Sequence, residues 1–292
     1  MSENVLNSGL LPNVAPVPRL GVTMRLQKVG LNPTLLAGLV LLALVVLVAV
    51  GAPLLTPYDP IVQSLDEAFQ PPLSINHVLG TDNFGRDVWS RIVYSTRLDL
   101  QIGFVSVLFP FVFGSLIGIA TGYLGGWLDT VFMRVVDVLM AFPFLILVVA
   151  IMSILGPGLS NLYVAVALVG WIPYARITRG ETLTTRSLEY VHAARTIGCT
   201  APRVMVRHVL PNVIAPGLVY VFTGMVLAIL TGATLSFLGL GPPPPTPEWG
   251  AMIASGRQFL LIAWWMTALP GFALLVVGVA LSLIGDGLAD KR

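Results

Sequence analysis

Leu35–Leu55 reads LLAGLVLLALVVLVAVGAPLL, a run without a single charge that is closed by Gly51, Pro53 and the nearby Pro57. A helix that crosses a bilayer needs roughly 20 apolar residues, because the hydrocarbon layer is about 30 Å thick and each residue rises about 1.5 Å. This run is long enough to cross once and too apolar to be left in water. The rest of the chain has the same character. Its 292 residues are 56% hydrophobic and only 10% charged, against about 25% charged in an ordinary soluble domain.

Further uncharged runs cover Leu100–Leu128, Val138–Ala175, Val209–Pro247 and Gln258–Gly285. The second of these is too long for one helix. Gly156, Pro157 and Gly158, followed by Ser160 and Asn161, end helices and build turns, so the run divides there. The expectation is an all-α membrane protein with six crossings, near 35–55, 98–124, 131–155, 159–177, 213–240 and 263–284. Gly114, Gly118 and Gly122 recur at helical spacing, as residues do where helices approach closely.

Lys and Arg favour the cytoplasmic side of a membrane protein. With six crossings, one side holds Arg19, Arg25, Lys28, Arg134, Arg176, Arg179, Arg186, Arg195, Arg203, Arg207, Lys291 and Arg292, and the other only Arg86, Arg91, Arg97 and Arg257. That places residues 1–30, both termini and the 178–211 loop inside, and the 57–97 and 241–262 loops outside. The polar segment before Leu35 lacks the pattern of a removable signal. A net charge of +2, with the basic residues strung along membrane edges, argues against nucleic acid. The single Cys199 falls in a predicted cytoplasmic loop without a disulfide partner and reads as a small packing residue.

The 57–97 segment is long enough for a small cap. Within it His77, Asp82, Arg86 and Asp87 mix both signs beside glycines, which suits a structured loop better than a metal site. Pro242–Pro245 favours an extended, stiff strap. Asp137 reads as a boundary residue paired with Arg134 one turn earlier, rather than as an intramembrane substrate contact. The aromatic pairs Phe142 with Phe144 and Trp264 with Trp265 read as packing or interface anchors.

The 178–211 loop has the pattern of two short helices. Tyr190, Ala193, Ala194 and Ile197 share one face of the first, which ends at Gly198, the residue best able to adopt a left-handed end. Thr200 is placed to cap a second helix with Pro202 in its first turn, and Leu210–Pro211 is expected to stop it. Helices this short are marginal alone. They need a partner surface, or they rest on the membrane through their basic residues.

Glu189–Asn212, reading EYVHAARTIGCTAPRVMVRHVLPN, resembles the coupling loop of ATP-binding-cassette (ABC) importer permeases. Ala193, Ala194, Gly198, Leu210 and Pro211 match that family's pattern at its spacing. His192 and His208 stand where many members have Glu and Ile, as they do in the peptide and nickel branch. His77–Leu98 (HVLGTDNFGRDVWSRIVYSTRL) and Leu235–Arg257 (LSFLGLGPPPPTPEWGAMIASGR) are similar to segments of the C-type permease subunits of dipeptide, oligopeptide and nickel importers.

The resemblance implies the type I importer fold, a second permease subunit completing the pathway, two ATPase subunits and an external solute-binding protein. It also implies that Glu189, Tyr190, Val191, His192, Ala193, Ala194, Arg195, Gly198, Arg207, Leu210 and Pro211 couple the chain to an ATPase. ATP and Mg²⁺ would be bound by the partners, and this chain has no Gly-x-x-x-x-Gly-Lys-Ser/Thr phosphate loop. No catalytic constellation is visible in the sequence, nor the run of buried ionisable groups a proton- or sodium-driven transporter needs. Peptides are the first choice of substrate, with nickel chelates, glutathione or haem as alternatives within the family.

Overall fold

A computed structural model describes residues 32–290. The expected terminal segment 1–30 and the basic residues Arg19, Arg25, Lys28, Lys291 and Arg292 lie outside them. The regular elements of the described residues are helices: α1 (Pro33–Val50), α2 (Ala52–Leu55), α3 (Val88–Leu124), α4 (Gly126–Met140), α5 (Phe144–Leu155), α6 (Leu159–Thr185), α7 (Glu189–Thr196), α8 (Ala201–Val204), α9 (Leu210–Phe237), α10 (Trp249–Gly256) and α11 (Trp265–Ala289). Four rods are long and apolar enough to cross a membrane: α1, α3, the continuous 201–237 helix and α11. The bent pair α4–α5 would be a fifth. α6, at 27 residues, carries Ser160, Asn161, Arg176, Arg179 and Glu181, which dilute its apolar length.

α3 and α6 form the spine. A Cβ at Gly114, Gly118 or Gly122 would strike the α6 backbone near Trp171, Ala175 or Arg179, so the glycine stripe predicted from spacing is where these two helices touch. The register advances in the same sense on both, so α3 and α6 run parallel. α9 runs antiparallel to α3, with Gly232 against Ile102 and Gly217 beside Phe111. α11 in turn packs on α1, with Gly38 against Ile284 and Gly287 against Leu35. The Asn32 amide donates to the Asp290 carboxylate at 3.2 Å, so both ends of the described chain meet at one end of the bundle.

Because α3 and α6 are parallel, α4 and α5 together must carry the chain back from one end of the bundle to the other. They do not do so as the straight 131–155 rod expected from the sequence. The two helices meet at 88°. Pro143 has no N–H and disfavours helical backbone at Phe142. The Ala141 N–H tightens onto the Asp137 and Val138 carbonyls, and Pro143, at φ −58° and ψ 131°, opens α5 instead. Asn161, on α6, donates to the Leu155 and Gly156 carbonyls at 2.8 and 3.2 Å and so closes the far end of α5.

Two other expectations are corrected. Arg134 and Asp137 form no ion pair within 4.0 Å; both are exposed. The cation that serves this region is Arg179, whose guanidinium grips Asp129 in a two-pronged bond, Nε to Oδ1 at 2.5 Å and Nη2 to Oδ2 at 2.7 Å. Pro242–Pro245 is not an extended strap either. It folds into a turn in which the Thr246 N–H donates to the Pro243 carbonyl at 3.3 Å, because the chain must deliver Glu248 into the bundle three residues later.

Residues 56–87 fold into a cap shorter than the 57–97 loop expected, because α3 already begins at Val88. Asp82 accepts from the Phe84 and Arg86 N–H groups and from Arg86 Nε at 2.7 Å, while Arg91 reaches the Pro60 carbonyl at 2.7 Å. His77 Nδ1 lies 2.9 Å from Asp87, whose other oxygen caps α3 through the Ser90 N–H. Trp265 at the head of α11 donates to the Thr81 carbonyl at 3.0 Å, which ties the cap to the bundle.

Candidate functional site

The segment between α6 and α9 is a helical hairpin seated on the end of α3. α8 starts at Ala201, directly after Thr200 as expected, whereas α6 runs on to Thr185, into the first residues of the 178–211 loop expected from the sequence. α7 ends in a Schellman motif: the Gly198 N–H donates to the Arg195 carbonyl at 3.0 Å and the Cys199 N–H to the Ala194 carbonyl at 3.1 Å. This closure needs a left-handed residue, and Gly198 supplies φ +87°. Thr200 occupies the N-cap position of α8 but makes no side-chain bond there; its carbonyl receives the Val204 N–H at 3.0 Å.

Leu210–Pro211 does not stop the second helix. Residues 205–209 form a single π turn, closed by the Leu210 N–H on the Met205 carbonyl, and α8 continues through it into α9. Pro211 has no N–H for the usual bond and its ring crowds the carbonyl four residues back. One extra residue in the turn removes that conflict, and such π turns are frequent at functional sites.

The face of α7 divides differently from the expected one. Val191 and Ala194 are buried, packed with Val204, Val209 and Val213 against Ile119 and Tyr123 of α3. Tyr190, Ala193 and Ile197, with Glu189, His192 and Arg195, face outward, Ile197 being 81% exposed. Arg195 also lies over the Tyr123 ring, 5.5 Å from its centroid. Leu210 is half-buried on the same cluster, and Arg207 and Pro211 are exposed. Cys199 is partly buried against it, a packing position.

The structure thus gathers all eleven predicted residues into one hairpin and gives them three roles. Val191, Ala194 and Leu210 seat it, Gly198 turns it, and the others line its exposed sides. Sequence reading missed the seat on α3, Ile119 and Tyr123, and the clasp formed by Asn212. That amide donates to the Tyr190 hydroxyl at 3.1 Å and to the His208 carbonyl at 2.7 Å, pinning the first helix to the start of α9. Its position directly after Leu-Pro was the available signal.

Residues 114–291, which include this hairpin, match the family model described as binding-protein-dependent transport system inner membrane component. The chain belongs to this permease family. Residues 31–72 of the permease match a second model, the N-terminal TM domain of oligopeptide transport permease C. It is 42% identical to the di/tripeptide transport system permease protein DppC of Pseudomonas aeruginosa, over 90% of this chain and 89% of that one. It is 40% identical to the dipeptide transport system permease protein DppC of Alkalihalophilus pseudofirmus, covering 89% and 85%. With the glutathione transport system permease protein GsiD of Pectobacterium atrosepticum the identity is 39%, over 87% and 84%. Among solved structures it is similar to a chain of the inward-facing MetNI methionine ABC transporter, with TM-score 0.56 and 21% identity over 70% of this chain and 96% of that one. That likeness is one of fold.

Proposed function

We propose that this permease is the C-type subunit of an ABC importer of dipeptides or oligopeptides, and that its 186–212 hairpin docks on a cytoplasmic ATPase. The observation that carries the reading is the hairpin itself: an eight-residue helix with apolar Tyr190, Ala193 and Ile197 facing outward while Val191 and Ala194 lock its back to α3. A helix so short owes its stability to that seat. A surface of this kind can pass motion inward, because a push on α7 is delivered to the ends of α3 and α9 together.

Six crossings are proposed. The contact between Asn32 and Asp290 favours an even number, and α6, parallel to α3, supplies the sixth beside the four rods and the bent pair. The excess of Lys and Arg supports an orientation with the hairpin and both ends in the cytoplasm and the 56–87 cap outside. The partners in this reading are a second permease subunit, two ATPase subunits that bind ATP and Mg²⁺, and an external solute-binding protein. Peptide is the preferred cargo because relatives near 40% identity carry dipeptide and di/tripeptide names; the glutathione relative keeps that substrate as the alternative.

The test is cross-linking in the assembled transporter. Cys substituted at exposed Ile197 should cross-link to an ATPase subunit, whereas Cys at Leu54 on α2 should not. Failure of the Ile197 position to reach any ATPase would overturn the docking role, and labelling of Cys199 in intact cells by an impermeant thiol reagent would overturn the orientation.

A further inference from the structure

A partly open cavity of about 190 Å³ lies between α3, α5, α6 and α9. Most of its lining is apolar. Two of its residues, Ser106 and Tyr174, are 1% and 2% exposed and carry hydroxyls with no hydrogen-bond partner among the described residues. Unpaired buried hydroxyls are unusual and costly. Among the described residues Ser115, Tyr163, Ser236 and Thr267 also carry unpaired buried hydroxyls, but Ser106 and Tyr174 are the two that line this cavity, while Thr178 and Thr231 nearby each donate to the carbonyl one turn back.

The cavity also has a shaped wall. Pro110 and Pro173 line it, and neither has a backbone N–H. The Tyr174 hydroxyl lies against Gly224, where a Cβ would collide with it. The Tyr174 and Tyr220 rings meet edge to face at 5.1 Å, and Phe144, the first residue of α5 beyond the 88° break, closes another side. Among the described residues no charged side chain lines the cavity. An apolar cavity of about 150 Å³ accepts a benzene ring, so this one has room for one uncharged amino-acid side chain with an adjoining carbonyl.

We propose that the cavity between Ser106, Tyr174 and Gly224 is a solute site that receives an uncharged, apolar side chain of the transported peptide, with the Ser106 and Tyr174 hydroxyls donating to its neighbouring carbonyl. This rests on the peptide-importer reading. A site of this volume discriminates by size, and its hydroxyls discriminate against solutes that cannot accept a hydrogen bond.

The experiment uses the complete transporter with its solute-binding protein in proteoliposomes, at saturating binding protein, with radiolabelled Ala-Ala and Ala-Phe as probes. Tyr174→Phe, which keeps the ring and removes the donor, should lower uptake of both dipeptides about tenfold, with assembly yield unchanged. Gly224→Ala, which narrows the cavity, should lower Ala-Phe uptake at least fivefold more than Ala-Ala uptake. A loss shared equally by both dipeptides in Gly224→Ala, or full uptake by Tyr174→Phe, overturns the site. Absence of dipeptide uptake by the unaltered assembly overturns the functional reading, and the site with it.

Discussion

Asp99 on α3 and Glu248 at the N-cap of α10 are both fully buried and between them accept three consecutive backbone N–H groups: Trp249 on Asp99 at 3.3 Å, and Gly250 and Ala251 on Glu248 at 2.8 and 2.7 Å. One pair of carboxyl groups thereby anchors the 241–256 segment to the spine of the bundle. Glu248→Ala strips two buried donors of their acceptor and should cost about 2 kcal/mol of stability. Glu248→Gln, which keeps one acceptor oxygen, should cost less. Thermal unfolding of the purified assembly reads both, and a Glu248→Ala midpoint equal to that of the unaltered protein would refute the anchoring role.

Two glycines should respond in opposite directions to the same substitution. At Gly118 a Cβ meets the Ala175 carbonyl and the Thr178 hydroxyl, so Gly118→Ala must separate α3 from α6 and should destabilise by about 1–3 kcal/mol. At Gly180, on the same pair of helices, nothing lies within 4 Å of the added carbon. Gly180→Ala should therefore gain up to about 1 kcal/mol from helix propensity. Unfolding midpoints that move the same way would show that the stripe at 114–122 is not a packing seam.

What the sequence made legible follows from what is local. The apolar runs, the stop at Gly198 and the glycine stripe are properties of a few neighbouring residues, and each reappears in the structure. Pro143 was just as visible, but it stood inside an unbroken apolar run, and nothing nearby revealed that the chain would turn through 88° there. Pro211 misled in the opposite sense, because a π turn absorbs it and the helix goes on. The outward face of α7 was misjudged because Val191 was not counted among its apolar stripe, while the seat that buries it, Ile119 and Tyr123, lies on another helix. Asp99 and Glu248 could be matched only by the fold, since one borders a crossing and the other follows a proline-rich turn.

Asp129 and Arg179 make the bidentate contact that fixes the first turn of α4 against α6. Their side chains are 20% and 29% exposed, so solvent screens part of the attraction. A double-mutant cycle with Asp129→Ala and Arg179→Ala should give a coupling of about 1 kcal/mol, larger than an ordinary surface pair because both prongs are charge-assisted. Raising the salt concentration should shrink it. A coupling indistinguishable from zero at low salt would mean that α4 is held by its apolar face alone.

Gly198 tests whether the hairpin transmits force or merely fills space. Its φ of +87° closes the Schellman motif, and open space surrounds the position where a Cβ would stand, so a substitution strains the backbone without a collision. The left-handed conformation costs an ordinary L residue roughly 1–2 kcal/mol, and Asn less. Because α7 has only eight residues, strain of that size at its end should unsettle the exposed face of Tyr190, Ala193 and Ile197 without unseating the crossings. Gly198→Ala should reduce solute transported per ATP hydrolysed by roughly tenfold, Gly198→Asn should reduce it less, and Gly198→Asp, which adds a charge to the strain, should reduce it most. Assembly yield should be the same for all three. Normal coupling in Gly198→Asp would mean that the corner between α7 and α8 takes no part in transmission.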